Sequence, residues 1–231
     1  MSEPPTLRLL IVGHGRMGRL VEALASAHGM EVAGAITSAN ADRADDWPQA
    51  DVAIDFSTAA AVARNAPRLA ARGVDLVIGA TGWQNEAPAI RAELSRYPIG
   101  VVASPNFALG VNIFIALAAR AAGLMAARPE FGAWIHELHH KAKRDAPSGT
   151  AIAIRRAMEE AGYTSPIDVA SSRVGSIPGT HTVGFDGPAD TITLTHTARD
   201  RSIFARGALE AARWVRGRRG WFSMNDVLGL S

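Results

Sequence analysis

The chain of 231 residues is long enough for one large domain or two modest ones with proper cores. With 48% hydrophobic and 20% charged residues it reads as a soluble globular protein, and a net charge of +2 excludes a chain-wide footprint for nucleic acid. The absence of cysteine excludes disulfides, thiolate metal sites and a thiol nucleophile.

The start, Met1-Ser2-Glu3-Pro4-Pro5, lacks the cationic opening of a signal peptide, and the apolar run Leu9–Val12 is stopped by Gly13. No window reaches the length of a membrane span. A cytoplasmic protein with no membrane partner is therefore expected. Leu7–Val12, rich in branched residues, predicts a buried parallel strand. From Met17 to His28 apolar residues recur at helical spacing, with Gly29 as the stop, and Glu31–Ile36 predicts a second strand. Between the first strand and the helix stands Gly13-x-Gly15-x-x-Gly18. Gly13 permits the tight turn, Gly15 lets backbone approach a pyrophosphate, and Gly18 allows close helix–strand packing. A β-α-β unit with this loop predicts a dinucleotide site. Further strands at Val52–Phe56, Asp75–Gly79 and Gly100–Ala103 alternate with helices at about 59–72 and 85–96, the pattern of a parallel sheet covered on both faces.

After Asn106 the order changes. A helix over about Gly110–Arg128 leads to a strand at Trp134–Leu138 and a helix over roughly Ser148–Gly162. Strands near Asp168–Arg173 and Thr191–Ala198 follow, separated by the turn-rich stretches Gly175–Gly179 and Asp186–Pro188. The last predicted helix is Ala205–Arg216. Arg213, Arg216, Arg218 and Arg219, near Trp214 and Trp221, read as a solvated helix end rather than a polyanion site. The fold class expected is α/β: a Rossmann-type parallel-sheet nucleotide domain with a second α+β domain carrying a mixed sheet.

The densest chemistry lies in His139-His140-Lys141-Ala142-Lys143-Arg144-Asp145-Ala146-Pro147-Ser148-Gly149-Thr150. Ser148 is placed to cap the helix that follows, which leaves the N–H groups of Gly149, Thr150 and Ala151 to face an anion. Two imidazoles beside these cations favour a site for a small acidic substrate over a solvated basic loop. His136-Glu137-Leu138-His139-His140 also matches His-Glu-x-x-His, a zinc pattern that needs a helix. Here Phe131–Ile135 favours a strand, which separates His136 from His140 by roughly 13 Å. No metal is expected, and His136 reads as a sheet residue.

The stretch from Glu137 to Ala151 resembles the signature of the 4-hydroxy-tetrahydrodipicolinate reductase family. Gly13-His14-Gly15-Arg16-Met17-Gly18, Asp55-Phe56-Ser57, Gly79-Ala80-Thr81-Gly82, Asn106-Phe107, Gly110-Val111-Asn112 and Arg201–Ala205 followed by Gly207-Ala208-Leu209 fall in the family's order. The resemblance implies reduction of a cyclic imine dicarboxylate, with hydride added at C4, a proton on the neighbouring carbon and loss of water. It implies Lys143 as proton donor, His139 as its acid/base partner, and His140, Ser148, Gly149 and Thr150 as carboxylate binders. Asp145 would orient Lys143 or pair with Arg144. The cofactor loops implied are Gly13, His14, Gly15, Arg16, Met17, Gly18 and Thr37, then Gly79, Ala80 and Thr81, then Ser104, Pro105, Asn106 and Phe107.

The chain departs from the family's pattern in places: Thr37 stands where an acid is common, Ala80 where Thr is usual, and Pro105 where a small residue is usual. The segment between Ser171 and Thr197 is shorter than in the family's long forms. An acid after the second strand would bind the ribose of NADH. Its absence, with Arg16 on the adjacent loop, makes NADPH the preferred cofactor and leaves NADH possible. The resemblance further implies a dinucleotide-binding domain of residues 1–107 plus 205–231, a substrate-binding and oligomerisation domain of residues 108–204, and a homotetramer. The rivals are another two-domain dehydrogenase acting on an amino-acid-derived imine or carbonyl, and a nucleotide sensor without turnover. A sensor has no need for His139, Lys143 and the anion pocket together.

Overall fold

The computed structural model describes residues 6–230 and divides the chain into two compact units, Met1–Leu109 with Ser202–Ser231, and Gly110–Arg201. The first unit carries β1 (Leu7–Val12), α1 (Arg16–Ala25), β2 (Met30–Ile36), β3 (Val52–Asp55), α2 (Ala59–Ala71), β4 (Asp75–Ile78), α3 (Ala87–Leu94) and β5 (Gly100–Ala103). The six-stranded sheet runs β10-β5-β4-β3-β1-β2, all pairs parallel, where β10 is Gly220–Phe222. Its strands alternate faces with period two. Leu10, Val12, Ala53, Leu76, Ile78 and Val101 pack with Val62 and Leu69 of α2 and Ile90 and Leu94 of α3. Leu9, Ile11, Val52, Ile54, Val77 and Val102 pack on the other face with Val21 of α1 and with Leu209, Ala212 and Val215. Burying each such branched side chain contributes about 1.5–3 kcal/mol.

The last three belong to α6 (Ser202–Val215), which starts earlier than its apolar spacing suggests. Small residues let it lie close: a Cβ on Gly207 would overlap the Phe107 carbonyl. The arginines beyond are mostly spent on the fold. Arg213 reaches the His28 carbonyl, Arg216 lies 3.0 Å from Asp51, and the Arg218 guanidinium stacks 4.0 Å above Trp214. The chain reading missed β10 and α7 (Met224–Leu228), the latter opened by a reciprocal Ser223–Asp226 capping box. β10 is too short to show a period.

The second unit holds α4 (Leu109–Met125), β6 (Gly132–His139), α5 (Gly149–Glu160), β7 (Ile167–Arg173), β8 (Thr180–Asp186) and β9 (Thr191–Thr197). Its sheet is ordered β7-β6-β8-β9; β7 runs parallel to β6, and β8 and β9 are antiparallel to their neighbours, so the sheet is mixed. β8 corrects the sequence reading, which placed only turn-rich residues there. Ala133 and Ile135 of β6 and Val183 and Phe185 of β8 pack beneath Phe114 and Ala118 of α4 and Ile154 and Met158 of α5. The opposite face carries Thr182 and Thr195, 3.0 Å apart, and Thr180 and Thr197, 3.1 Å apart. Among the described residues no helix is long and apolar enough to cross a membrane.

Candidate functional site

In the first unit the loop after β1 is shaped by its glycines. Gly13 adopts φ +86°, and a Cβ there would lie 2.8 Å from Ser57 Cα. A Cβ on Gly18 would overlap the Gly13 carbonyl, whereas Gly15 has nothing within 4 Å. Gly15 precedes α1 without a side-chain cap, so the first-turn N–H groups of Arg16 and Met17 remain open to an anion. His14 Nε2 donates to Glu22 Oε2 at 2.7 Å, which draws that ring onto α1. The Arg16 side chain is exposed and makes no hydrogen bond or ion pair among the described residues.

Thr37 follows β2, its N–H donating to Asn40 Oδ1 at 2.7 Å and its hydroxyl accepting from Ala39 at 3.3 Å. The hydroxyl proton stays available. Arg43, further along, is held 3.8 Å from Asp46.

The loops after β3, β4 and β5 close around one another. Asp55 is buried, its Oδ1 accepts from Ser57 N–H at 2.8 Å and Ser57 Oγ at 2.5 Å, and burial pushes its pKa up to about 6 against those hydrogen bonds. The Gly79 and Ala80 N–H groups both donate to the Asp55 carbonyl, at 2.8 and 3.0 Å. They are thus committed to the fold rather than to a ligand. Ala80, Ser104 and Pro105, with Trp83 and Ala103, line a cleft of about 200 Å³. Thr81 is exposed beside it. Ser104 Oγ donates to the Asn106 carbonyl, and Asn106 Oδ1 accepts from Ala108 N–H. The Phe107 side chain is 1% exposed, packs edge-on to Phe56, and belongs to the core. Its size and apolarity make it worth more buried than on a ligand surface.

In the second unit, β6 delivers the signature. Its burial alternates, placing Ala133, Ile135, Glu137 and His139 on the helix-covered face and His136 on the other. His136 Nε2 meets Ser172 Oγ at 3.0 Å, as a strand residue would, and the zinc-protease helix geometry does not arise. His139 is 7% exposed. The turn beyond brings Lys143 Nζ to both oxygens of Asp145, at 2.8 and 2.7 Å, which decides between that partner and Arg144. The Asp145 carboxyl is held below the usual range, chiefly by that Lys143 contact.

His140 is half-buried, and its carbonyl accepts from Lys143 N–H. Ser148 caps α5, its Oγ accepting from Ala151 N–H at 3.2 Å. That uses one of the three donors expected for an anion and leaves Gly149 and Thr150. Gly149 has open space where a side chain would stand.

The sequence reading did not include the group that ties these pieces together. Glu137 is fully buried, and its Oε1 accepts from Ser148 N–H at 3.0 Å, Ser171 Oγ at 2.7 Å and Arg173 Nη2 at 2.7 Å. Burial opposes its charge, yet hydrogen bonds from Arg173, Ser171 and Ser148 overcome that and hold its pKa down to about 2. Its Oε2 lies 2.6 Å from His139 Nδ1, with the ring turned off the line of an ideal hydrogen bond, and 3.9 Å from His181 Nε2. Burial pushes the pKa of His181 down to about 4 and that of His139 below its ordinary value. A carboxylate and two imidazoles within 4.8 Å of one another have a spacing also met at metals. Here the Arg173 guanidinium neutralises the carboxylate and opposes a divalent cation. Glu137 was legible from strand alternation, two residues before His139; His181 sits on the strand that was missed.

Both units match known families. Residues 7–107 match the family model described as dihydrodipicolinate reductase, N-terminus, and residues 110–228 the one described as dihydrodipicolinate reductase, C-terminus. The chain is 43% identical to the 4-hydroxy-tetrahydrodipicolinate reductase of Myxococcus xanthus over 82% of this chain and 76% of that one. It is 41% identical to the enzyme of the same name from Acidiphilium cryptum over 97% of this chain and 98% of that one. In fold it is similar to the dipicolinate-bound dihydrodipicolinate reductase of Paenisporosarcina sp. TG-14, with a TM-score of 0.79 at 21% identity over 95% of this chain and 98% of that one.

Proposed function

Because the chain belongs to the dihydrodipicolinate reductase family, we propose that it reduces 4-hydroxy-tetrahydrodipicolinate to tetrahydrodipicolinate with loss of water, in lysine and diaminopimelate biosynthesis. One observation carries the reading beyond family membership. The turn after β6 gathers a buried imidazole, a lysine held by a carboxylate, and an open helix start, which together suit a dicarboxylate that must be protonated.

The loop after β1 fits a nicotinamide dinucleotide, since backbone closes in at Gly13 and Gly18 while free space opens at Gly15. Bound there, the reduced cofactor supplies a hydride to C4 of the substrate ring. The first-turn N–H groups of α1 hold its pyrophosphate. NADPH is the preferred form, because Arg16 is unpaired and Thr37 presents a hydroxyl where an acid would repel a 2′-phosphate.

In the second unit, once the 4-hydroxyl and a proton of the adjacent carbon have left as water to give a conjugated imine, hydride at C4 leaves the electron pair on that adjacent carbon. Lys143 donates the proton there, and its charge eases the build-up of negative charge on the ring. His139 is its acid/base partner. The Gly149 and Thr150 N–H groups, Ser148 at the cap and His140 hold a substrate carboxylate. The threonine-lined face of the second sheet suits assembly into a homotetramer. A cytoplasmic location, where reduced nicotinamide is regenerated, completes the proposal.

The test is oxidation of NADPH and of NADH with substrate generated in situ from pyruvate and aspartate semialdehyde. Substrate-dependent oxidation is expected, faster with NADPH at equal concentrations. No substrate-dependent oxidation of either cofactor would overturn the reading.

A further inference from the structure

β6 buries a carboxylate two residues before the proposed acid/base histidine, and the chemistry above makes no use of it. Glu137 is 0% exposed. All three of its donors, Ser148 N–H, Ser171 Oγ and Arg173 Nη2, converge on one oxygen, Oε1. A mere counter-ion for Arg173 would be satisfied by that oxygen alone. The second oxygen, Oε2, points into the space shared by His139 and His181. It has His139 Nδ1 at 2.6 Å in an ion-pair contact off the hydrogen-bond line, and among the described residues neither atom has a hydrogen-bonding partner. A buried carboxylate against one ring nitrogen selects the tautomer with the proton on that nitrogen.

The other ring nitrogen, Nε2, faces Gly179, where a Cβ would lie 3.0 Å away. The missing side chain leaves that nitrogen room. His181 stands edge-on to the His139 ring, 5.1 Å between centroids, and shares a 3.2 Å contact with Ser148 Oγ. Burial keeps His181 neutral near pH 7, so it does not compete with His139 as a cation for Glu137.

We infer that Glu137 is a positioning residue: Oε2 holds His139 as the Nδ1–H tautomer and leaves Nε2 to exchange protons with substrate, while Oε1 fixes the opening of α5. One side chain thereby registers the proton-exchanging ring against the helix start that binds the carboxylate. The inference rests on the proposed role of His139.

The groups facing His139 are Glu137, Lys143, Arg173 and His181. Only Glu137 favours the imidazolium. Glu137→Gln keeps the shape, removes that charge and turns an N–H toward Nδ1. It should lower kcat by about 10²-fold with dinucleotide affinity unchanged. It should also move the His139 limb of the kcat/KM pH profile to lower pH, a shift that a purely structural loss would not produce. A folded Glu137→Gln protein with wild-type kcat and an unmoved pH profile would overturn the inference.

Because the variant leaves Arg173 without its counter-ion and can fail to fold, a second measurement uses the wild-type protein. Ring ¹⁵N shifts of His139, assigned by loss of the signal in His139→Gln, should report the Nδ1–H tautomer at pH 7.5. The Nε2–H tautomer there would refute the proposal. This readout is independent of turnover, so a wild-type chain inactive in the cofactor assay would sink the enzymatic reading while leaving the tautomer result to stand by itself.

Discussion

Lys143 lies on a turn with its ammonium clasped by Asp145 at 2.7–2.8 Å and its side chain 22% exposed. It belongs to no core cluster, so removing it tests chemistry rather than folding. Lys143→Ala should lower kcat by about 10²–10⁴-fold, as for loss of a positioned acid, with dinucleotide affinity essentially unchanged. Near-normal kcat would remove Lys143 from the proton route. Thr37 decides a different question. A carboxylate there would accept from the ribose hydroxyls of NADH and repel a 2′-phosphate. Thr37→Glu should shift kcat/KM toward NADH by about tenfold or more, since a charge-assisted contact is worth roughly 1.5–3 kcal/mol. A wild-type preference for NADH, with Arg16→Ala altering neither cofactor, would contradict this account.

At the scale of elements, α5 and β6 matter most. Ser148 accepts from Ala151 N–H through its side chain, while its own N–H is held by Glu137. Ser148→Ala removes the cap and the contact to His181 but keeps the backbone bond. The expected cost is about 1 kcal/mol, or a Tm lowered by about 2–4 °C, with substrate KM raised more than kcat is lowered. An unchanged KM would show that the helix start does not bind substrate.

β6 also disposes of the zinc pattern, since an extended strand holds His136 and His140 roughly 13 Å apart instead of one helical turn apart. Chelators should leave activity intact, and metal analysis of the purified protein should find no stoichiometric zinc. Most elements were legible because their apolar residues repeat over a full turn or a full strand. β8 escaped because Thr180–Asp186 contains a glycine and alternates threonine, histidine and valine, which imitates a loop. Gly184 is there for a tertiary reason: a Cβ would overlap the Trp134 ring on the neighbouring strand.

On the scale of the molecule, each unit has its own core, and the chain returns to the first unit through α6. The face of the second sheet opposite α4 and α5 is where assembly is proposed. Thr182→Arg, on that face beside Thr195, should reduce a tetramer to smaller species by light scattering without unfolding the protein. An unaltered mass would place the interface elsewhere. The order of β1 to β5 with the helices between them, the glycine loop after β1 and the Ser148 cap were determined by sequence alone, because each depends on residues close together in the chain. The convergence of Glu137, His139, Ser148, Ser171, Arg173 and His181 on one buried point was decided only by the tertiary structure. Those residues come from three strands and a helix cap, and whether a buried carboxylate is ionised depends on donors up to 36 positions away.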